Sequence, residues 1–326
     1  MALFQLRYDL RCPAFARATS AALAEAAIEQ CAHADRHGFV SVVLSEHHGS
    51  PDGYLPSPLV LAAAIAARTQ ALRLVLAAVV APLHDPIRLA EDLAVLDVVS
   101  KGRVVPVLAA GYVAAEFRAF GRELRQRGRL LEEAVRVLER AWTGEPFEHG
   151  GRAARVTPRP VQRPRPPILL GGSTPAAARR AARIADGFVP STPELMDPFR
   201  AERRRLGKPD PGPAPATLPG VVHLADDPDA AWRRIAPHAL HEASSYAAWL
   251  REAGLPGPYR EFRDADEIRA SGEHLVLTPE ELIARLRPLD PATIVTLHPL
   301  VGGLDPEVGW ESLRLVTERV LPALSG

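Results

Sequence analysis

A regular alternation of short apolar runs with longer helical patterns is the feature that most constrains the fold of this chain. Each apolar run is short enough to be a single buried strand, and each is followed by an amphipathic or alanine-rich stretch bounded by proline or glycine. Parallel strands need such helical crossovers, whereas antiparallel strands can be joined by tight turns. The pattern therefore predicts an α/β protein with a parallel sheet.

Eight strand-then-helix units are predicted along the chain. The predicted strands cover residues 4–10, 39–44, 72–80, 104–109, 168–171, 187–190, about 217–224 and 293–298. Eight units are typical of a (β/α)8 TIM barrel, whose active site lies at the carboxyl ends of the strands. A Rossmann sheet is the alternative, but no GxGxxG sequence follows the first strand.

Two stretches interrupt the alternation. Residues 144–167, rich in proline, glycine and arginine, are expected to form an excursion or a small hairpin after the fourth helix. Residues 254–277 precede a capping box made by Thr278 and Glu281, before the eighth strand. Long insertions of this kind are substrate lids or simply variable surface loops. The whole chain, residues 1–326, is expected to be one barrel domain that carries these two insertions.

Charge and cysteine usage exclude several classes of protein. The chain has 39 basic and 39 acidic residues, so it lacks the broad positive charge on which nucleic-acid binding depends. Its two cysteines, Cys12 and Cys31, form no CxxC pattern, which fits a reducing cytoplasm better than a disulfide scaffold or a zinc site. The apolar runs fall short of the roughly 20 residues that a spanning helix needs. We therefore expect a cytoplasmic protein without a nucleic-acid or membrane partner.

Polar residues that directly follow predicted strands are the first candidates for an active site. Adjacent residues on an extended strand point to opposite sides, so only one histidine of the pair after the second strand is expected to face the barrel mouth. Histidines in such places serve either as metal ligands or in acid–base chemistry. The histidines at or near strand ends are His47, His48, His84, His223 and His298.

A glycine-rich turn after the fifth strand is the second candidate. It consists of Gly171, Gly172, Ser173 and Thr174, followed by Pro175. Two glycines allow the backbone to approach a ligand closely, and free N–H groups at a helix start favour an anion such as a phosphate monoester. The alternative is a tight turn in which the threonine only caps the next helix.

Taken in order, several segments resemble the bacterial-luciferase-like family of flavin-dependent oxidoreductases. They are the Glu-His-His loop at 45–48, the strand and helix at 76–80 and 85–92, the LD-x-x-S-x-GR segment at 96–103, the glycine turn with EF-x-x-x-G at 110–121, the PI-x-x-GGS turn at 167–173, the ADG at 185–187 and the C-terminal segment at 298–322. Together the resemblance extends over about residues 3–323.

The resemblance implies a dimer of barrels that binds FMN or the deazaflavin coenzyme F420. It implies a cis peptide bond between Ala77 and Ala78 beneath the flavin ring, and a role for His47 in proton transfer around the reduced flavin. The phosphate is expected on Gly172, Ser173 and Thr174. Further cofactor contacts are expected from Glu46, Gly111 and Gly171, and a substrate pocket from Tyr8, His48, Tyr112 and His298.

One departure from the family pattern concerns the phosphate. In luciferases a cysteine and then an arginine precede the glycine after the fourth strand, whereas this chain has Ala109 and Ala110. Either the phosphate contact comes from elsewhere or the cofactor differs. We favour FMN over F420 because the Glu-His-His loop resembles the monooxygenase branch of the family.

The primary hypothesis is a monooxygenase that uses reduced FMN and O₂ on a small organic substrate. A separate flavin reductase is expected to supply the reduced FMN, since the sequence shows no fingerprint for a nicotinamide coenzyme. Alternatives are an F420-dependent hydride-transfer enzyme and a non-catalytic flavin-binding protein. A metal-dependent hydrolase is a less favoured alternative, since the first strand lacks an HxH pair. The metal ligands of such a hydrolase would be His47, His84, His223 and His298.

Overall fold

Nine strands form the main sheet in the part of the chain that the structure describes. The computed structural model describes residues 2–212, 215–255, 257 and 259–325. Every pairing in this sheet is parallel. The strands are β1 (Leu3–Tyr8), β2 (Ser41–Leu44), β3 (Arg73–Val80), β4 (Val104–Ala109), β7 (Leu169–Gly172), β8 (Gly187–Pro190), β9 (Val221–Leu224), β10 (His274–Leu277) and β11 (Ile294–Leu297), while β5 (Phe147–His149) and β6 (Arg152–Ala154) form a separate antiparallel hairpin.

The strand order is β10-β9-β11-β1-β2-β3-β4-β7-β8. The last strand of the chain therefore lies beside the first, as in a (β/α)8 barrel, and the predicted α/β fold is confirmed. The covering helices are α1 (Ser20–Arg36), α2 (Pro58–Arg68), α3 (Pro86–Val99), α4 (Ala114–Ala119), α5 (Arg127–Ala141), α6 (Pro175–Ile184), α7 (Met196–Arg205), α8 (Pro228–Ala253), α9 (Ala265–Ser271), α10 (Pro279–Leu286), α11 (Pro306–Leu315) and α12 (Leu321–Ser325).

Capping residues and glycines in the sequence predicted where several helices begin or end. Thr278 and Glu281 form the predicted capping box at the start of α10. The long helical region predicted over 114–142 is interrupted at Gly121, which has a left-handed φ of 63° and separates α4 from α5. A left-handed residue of this kind ends a helix at little cost only when it is glycine. The predicted break is therefore confirmed.

The two predicted insertions differ in kind. The hairpin expected within 144–167 is formed by β5 and β6. The stretch 254–277, in contrast, contains α9 and the additional strand β10, so the count of eight strands was wrong. A run as short as His274–Leu277 cannot be assigned from periodicity alone. The predicted seventh strand also begins later, at Val221, because Gly220 before it has a φ of 76°.

Alternation along β1 sorts its side chains between the two faces of the sheet. Phe4, Leu6 and Tyr8 are buried, and the Tyr8 hydroxyl donates to Gln30 of α1 at 2.8 Å. Arg7, by contrast, lines cavities on the inner face of the sheet. The expectation that Tyr8 lines a substrate pocket does not match this placement, because the period of two puts its neighbour inside. No helix in the described ranges combines the length and apolar character needed to cross a bilayer.

Candidate active site

Two adjoining cavities lie where the carboxyl ends of β2, β3, β4 and β7 come together. The histidine cavity, of about 240 Å³, is lined by Glu46, His47, Tyr54 and Glu116, among others. The glycine cavity, of about 530 Å³, is lined by the turn at 171–174 and by the start of α6. Four residues border both spaces, so a single elongated ligand can occupy them together. The shared residues are Ala78, Ala109, Gly111 and Tyr112.

His47 is positioned by a carboxylate on another element. Its Nδ1 lies 2.8 Å from Oε1 of Glu116 on α4, and both residues are buried. The backbone N–H of His48 donates to the same oxygen at 2.9 Å. Since a carboxylate oxygen accepts hydrogen bonds, Nδ1 carries the ring proton and Nε2 is left for the cavity. The pair can therefore accept a proton at Nε2.

Glu46 and His48 hold the loop after β2 in place. Glu46 accepts hydrogen bonds from Val80 N–H at 3.0 Å, from His48 Nε2 at 2.7 Å and from His84 Nε2 at 2.9 Å. Burial alone would raise the pKa of Glu46, but the two histidine contacts outweigh it and lower the pKa to about 2. His48 turns toward Glu46 and Phe120. Only one histidine of the pair lines the cavity, as the strand period predicted, and the expectation that His48 contributes to a substrate pocket does not match its contact with Glu46.

Aromatic side chains form a second wall of the histidine cavity. The Tyr54 and Tyr246 hydroxyls are 2.7 Å apart, and the rings of Tyr246 and Tyr259 stack with centroids 4.2 Å apart. The ring of Trp249 lies 4.2 Å from that of His47. Tyr246 and Trp249 come from α8, which sequence reasoning did not connect with the site. Tyr112, which was predicted, lines both cavities.

The glycine turn leads directly into the start of α6, where the first backbone N–H groups have no acceptor within the helix. A Cβ atom on Gly172 would lie 2.5 Å from the Cβ of Ala177, so only glycine fits there. Gly111 faces the turn with a φ of 71°, and its Cβ would lie 2.6 Å from Val80. The Thr174 hydroxyl accepts from Ala177 N–H at 3.2 Å, which caps α6. Such a helix start suits a phosphate group.

An arginine that the sequence reasoning missed completes this cavity. Three of the four arginines around it pair with a glutamate: Arg125 with Glu123, Arg129 with Glu133 and Arg180 with Glu132. Arg127 has no carboxylate partner within the described chain and donates to the Gly111 carbonyl oxygen at 3.2 Å. It can therefore supply the positive charge that Ala109 and Ala110 lack. In the sequence, the feature that could have indicated Arg127 as an anion-binding residue is the arginine-rich start of α5.

Two further predicted features have definite places. The peptide bond between Ala77 and Ala78 is cis, as the resemblance implied. His298 is buried away from the cavities, between Asp9 and Glu242. These three residues form the only His, Cys, Asp or Glu group in the described ranges that is close enough to hold a metal. The four histidines of the hydrolase alternative therefore do not converge.

Residues 10–289 match the model of the luciferase-like monooxygenase family. This chain belongs to the luciferase-like monooxygenase family. The predicted family is thus confirmed. Membership of this family supports the prediction that the chain is an oxidoreductase.

Among curated family relatives, the chain is 32% identical to the oxygenase component of a flavin-dependent trigonelline monooxygenase from Acinetobacter baylyi, over 45% of this chain and 43% of that protein. It is 31% identical to an F420-dependent glucose-6-phosphate dehydrogenase from Nakamurella multipartita, over 78% and 80% of the two chains. The chain spans about half the length of the first curated relatives that it matches. Flavin-dependent and F420-dependent enzymes therefore both occur among the relatives.

The solved structures agree on the fold. A monooxygenase from Streptomyces bottropensis superposes with a TM-score of 0.76 at 26% identity, and the match covers 99% of each chain. This luciferase-like protein therefore resembles a monooxygenase over its whole length.

Proposed function

We propose that this luciferase-like protein is the oxygenase of a two-component monooxygenase that uses reduced FMN and O₂. The observation that carries the proposal is the continuity of an anion site, formed by the glycine turn and Arg127, with the cavity of His47. One oxygen atom of O₂ would enter the organic substrate and the other would leave as water, with two electrons supplied by the reduced flavin.

The residues of this chain fit a flavin mononucleotide. The N–H groups at the start of α6 and the guanidinium of Arg127 would bind the phosphate, since charge-assisted hydrogen bonds are the strongest of their kind. Gly111 and Ala78, which lack bulky side chains, leave room between the two cavities. When bound, reduced flavin would supply the electrons and activate oxygen.

His47 would serve as the proton-transfer group. Its Nδ1 is occupied by Glu116, so Nε2 would accept or return a proton within the cavity. The rings of Tyr54, Tyr246 and Trp249 would exclude water from this space. These roles follow from geometry together with the family resemblance.

A titration of the purified protein with FMN, riboflavin and F420 tests the cofactor. Because riboflavin lacks the phosphate, we expect it to bind at least about tenfold more weakly than FMN. Arg127→Ala should remove most of this difference. Arg129→Ala is the matched control, because Arg129 is exposed and paired with Glu133. Equal binding of FMN and riboflavin, or tighter binding of F420, would contradict the proposal.

F420-dependent hydride transfer is the second candidate, and a specific relative favours it. The dehydrogenase from Nakamurella multipartita aligns over 80% of its own length. An enzyme of this class needs no oxygen. Consumption of O₂ with reduced FMN, measured with an oxygen electrode, therefore separates the two candidates.

A reductase partner and a dimer complete the proposal. The Acinetobacter baylyi relative is named as an oxygenase component, which supports a separate reductase for this chain as well. The outer faces of α2 and α3, which pack together, expose Val60, Val95 and Val99 at 70%, 47% and 45%. Exposed apolar patches of this kind mark interaction sites. We propose that a second copy of the chain covers them, in the cytoplasm that the cysteine usage predicts.

A further inference from the structure

A buried charge cluster made of Asp9, Glu242 and His298 takes no part in the proposed chemistry. Asp9 follows β1, His298 follows β11, and Glu242 lies on α8. All three side chains are almost completely excluded from solvent. Burying charged groups is costly unless they are paired, so the cluster needs a physical explanation.

The two ring nitrogens of His298 face different carboxylates. Nε2 lies 3.7 Å from Oδ1 of Asp9, and Nδ1 lies 3.6 Å from Oε1 of Glu242. Neither nitrogen has a hydrogen-bond partner among the described residues. A neutral imidazole carries one N–H and could satisfy only one of the carboxylates. An imidazolium carries two and suits both.

The neighbouring guanidinium groups do not neutralise the cluster. Arg7 Nη2 lies 3.0 Å from Glu242, and Arg11 Nε lies 3.2 Å from Asp9. Arg11 is shared with a third carboxylate, Asp52. Three carboxylates thus face two guanidinium groups, which leaves one negative charge. His241 Nε2 lies 2.8 Å from Oδ2 of Asp52, the same oxygen that Arg11 contacts, and not from either carboxylate that faces His298.

The histidine and the two tyrosines nearest the cluster stay neutral near pH 7. Burial lowers the pKa of His274, on β10, to about 4. Burial also raises the pKa of the tyrosines Tyr246 and Tyr259, so their hydroxyls keep their protons. Of these four side chains, His298 is therefore the one whose charge can change near neutral pH.

A metal ion would use the same three side chains, but two observations favour a proton. A metal binds one nitrogen of an imidazole ring, whereas the carboxylates lie at opposite nitrogens of His298. In addition, both carboxylates already contact guanidinium groups, which would repel a divalent cation.

We propose that His298 is a protonated bridge that holds α8 against β1, and that its deprotonation loosens the α8 wall of the histidine cavity. Glu242 and Tyr246 are four residues apart and so lie on one face of α8. Tyr246 lines the cavity and contacts Tyr54. A displacement of α8 at Glu242 therefore also moves Tyr246, one helical turn away, in the wall of the cavity. The consequence for catalysis rests on the proposed function, but the bridge itself does not.

The direction of the pH effect follows from the charges. Burial alone would lower the pKa of His298, but the charges of Glu242 and Asp9 outweigh it and raise the pKa above 6.5. A histidine whose pKa rises on folding adds stability at low pH, and this stability disappears as the pH rises through the folded-state pKa. Loosening of α8 is therefore expected on the alkaline side of that pKa.

Two measurements on the unliganded protein test the bridge. In NMR spectra of histidine-labelled protein, the imidazole signal of His298 is identified as the one that His298→Gln removes. This signal should titrate with a pKa above 6.5. Amide hydrogen exchange is measured over the same pH range and corrected for its intrinsic pH dependence. The protection factors of the amides around Glu242 should fall at least about tenfold, because one charge-assisted contact is lost. His298→Gln should have the low protection at every pH.

His37→Gln is the matched control, because His37 is exposed at the end of α1, and it should keep the wild-type profile. If His298→Gln fails to fold, the wild-type titration and exchange still decide the question. A pKa below 6.5, or protection of α8 that does not follow the titration, would overturn the proposal. So would one equivalent of a transition metal in the purified protein. Neither measurement uses flavin, so failure here is distinguishable from failure of the cofactor titration.

Discussion

His47 and Glu116 are 69 positions apart in the chain and are joined by a hydrogen bond of 2.8 Å. The contact links the loop after β2 to α4 at the edge of the histidine cavity. It also fixes which ring nitrogen of His47 faces that cavity. The glutamate is thus a positioning residue for the histidine, and the pair converts a local sequence motif into a directed proton acceptor.

Glu116→Ala is expected to lower oxygen-dependent turnover of reduced FMN about 100-fold, because His47 would lose its fixed orientation and tautomer. FMN affinity should change less than about threefold, because Glu116 lies outside the phosphate region. Stopped-flow reoxidation measures the rate, and ¹⁵N shifts of His47 report the tautomer. Glu139→Ala, at an exposed pair with Arg165, is the control. An equal loss in both variants would remove Glu116 from this role.

Gly172→Ala is expected to damage the anion site through crowding. The new Cβ would lie 2.5 Å from that of Ala177, so the start of α6 must shift. Overpacking of this kind typically costs about 1–3 kcal/mol. We expect FMN to bind at least about tenfold more weakly and riboflavin to be unaffected, since the shift falls on the phosphate turn.

The matched control for that substitution is its neighbour. A Cβ on Gly171 would meet Val107 at 3.6 Å and Ala78 at 3.8 Å, which are ordinary contacts. Gly171→Ala should therefore keep nearly wild-type thermal stability. If both variants lose the same stability, the close approach at Gly172 is not the cause.

Glu46→Gln should change how stability depends on pH. The pKa of Glu46 falls from 4.5 to about 2 on folding, so its carboxylate stabilises the fold above pH 4.5. This stability, about 3 kcal/mol by the usual conversion, is lost as the pH falls toward 2. The free energy of unfolding of the variant, measured with urea, should therefore be lower than that of the wild type at neutral pH and approach it in acid. Glu29→Gln, at an exposed pair with Arg68, should show little difference at any pH.

Val95→Glu should disrupt the proposed dimer, because a buried unpaired carboxylate in an apolar interface is strongly unfavourable. Sedimentation velocity should show the wild type as a dimer and the variant shifted toward monomer. Val161→Glu is the control, since Val161 is equally exposed, at 47%, but lies in the hairpin insertion. A monomeric wild type would contradict the proposal directly.

Much of the fold could be predicted because its signals are local. The capping box at Thr278, the break at Gly121 and the strand-then-helix order all depend on neighbouring residues. The strand β10 was missed because four residues carry too little periodicity. The assignment of Tyr8 failed because a strand's period of two makes the choice of face depend on register.

The sequence by itself determined the α/β architecture, the family, the glycine turn and the candidate histidine loop, since each depends on contiguous residues. Only the tertiary structure decided which distant side chains complete the site. Glu116 reaches His47 from α4, Arg127 reaches the glycine cavity from the start of α5, and Glu242 meets His298 from α8. The physical reason is that these pairings depend on how helices pack across the ends of the strands, and hydrophobic periodicity does not record that arrangement.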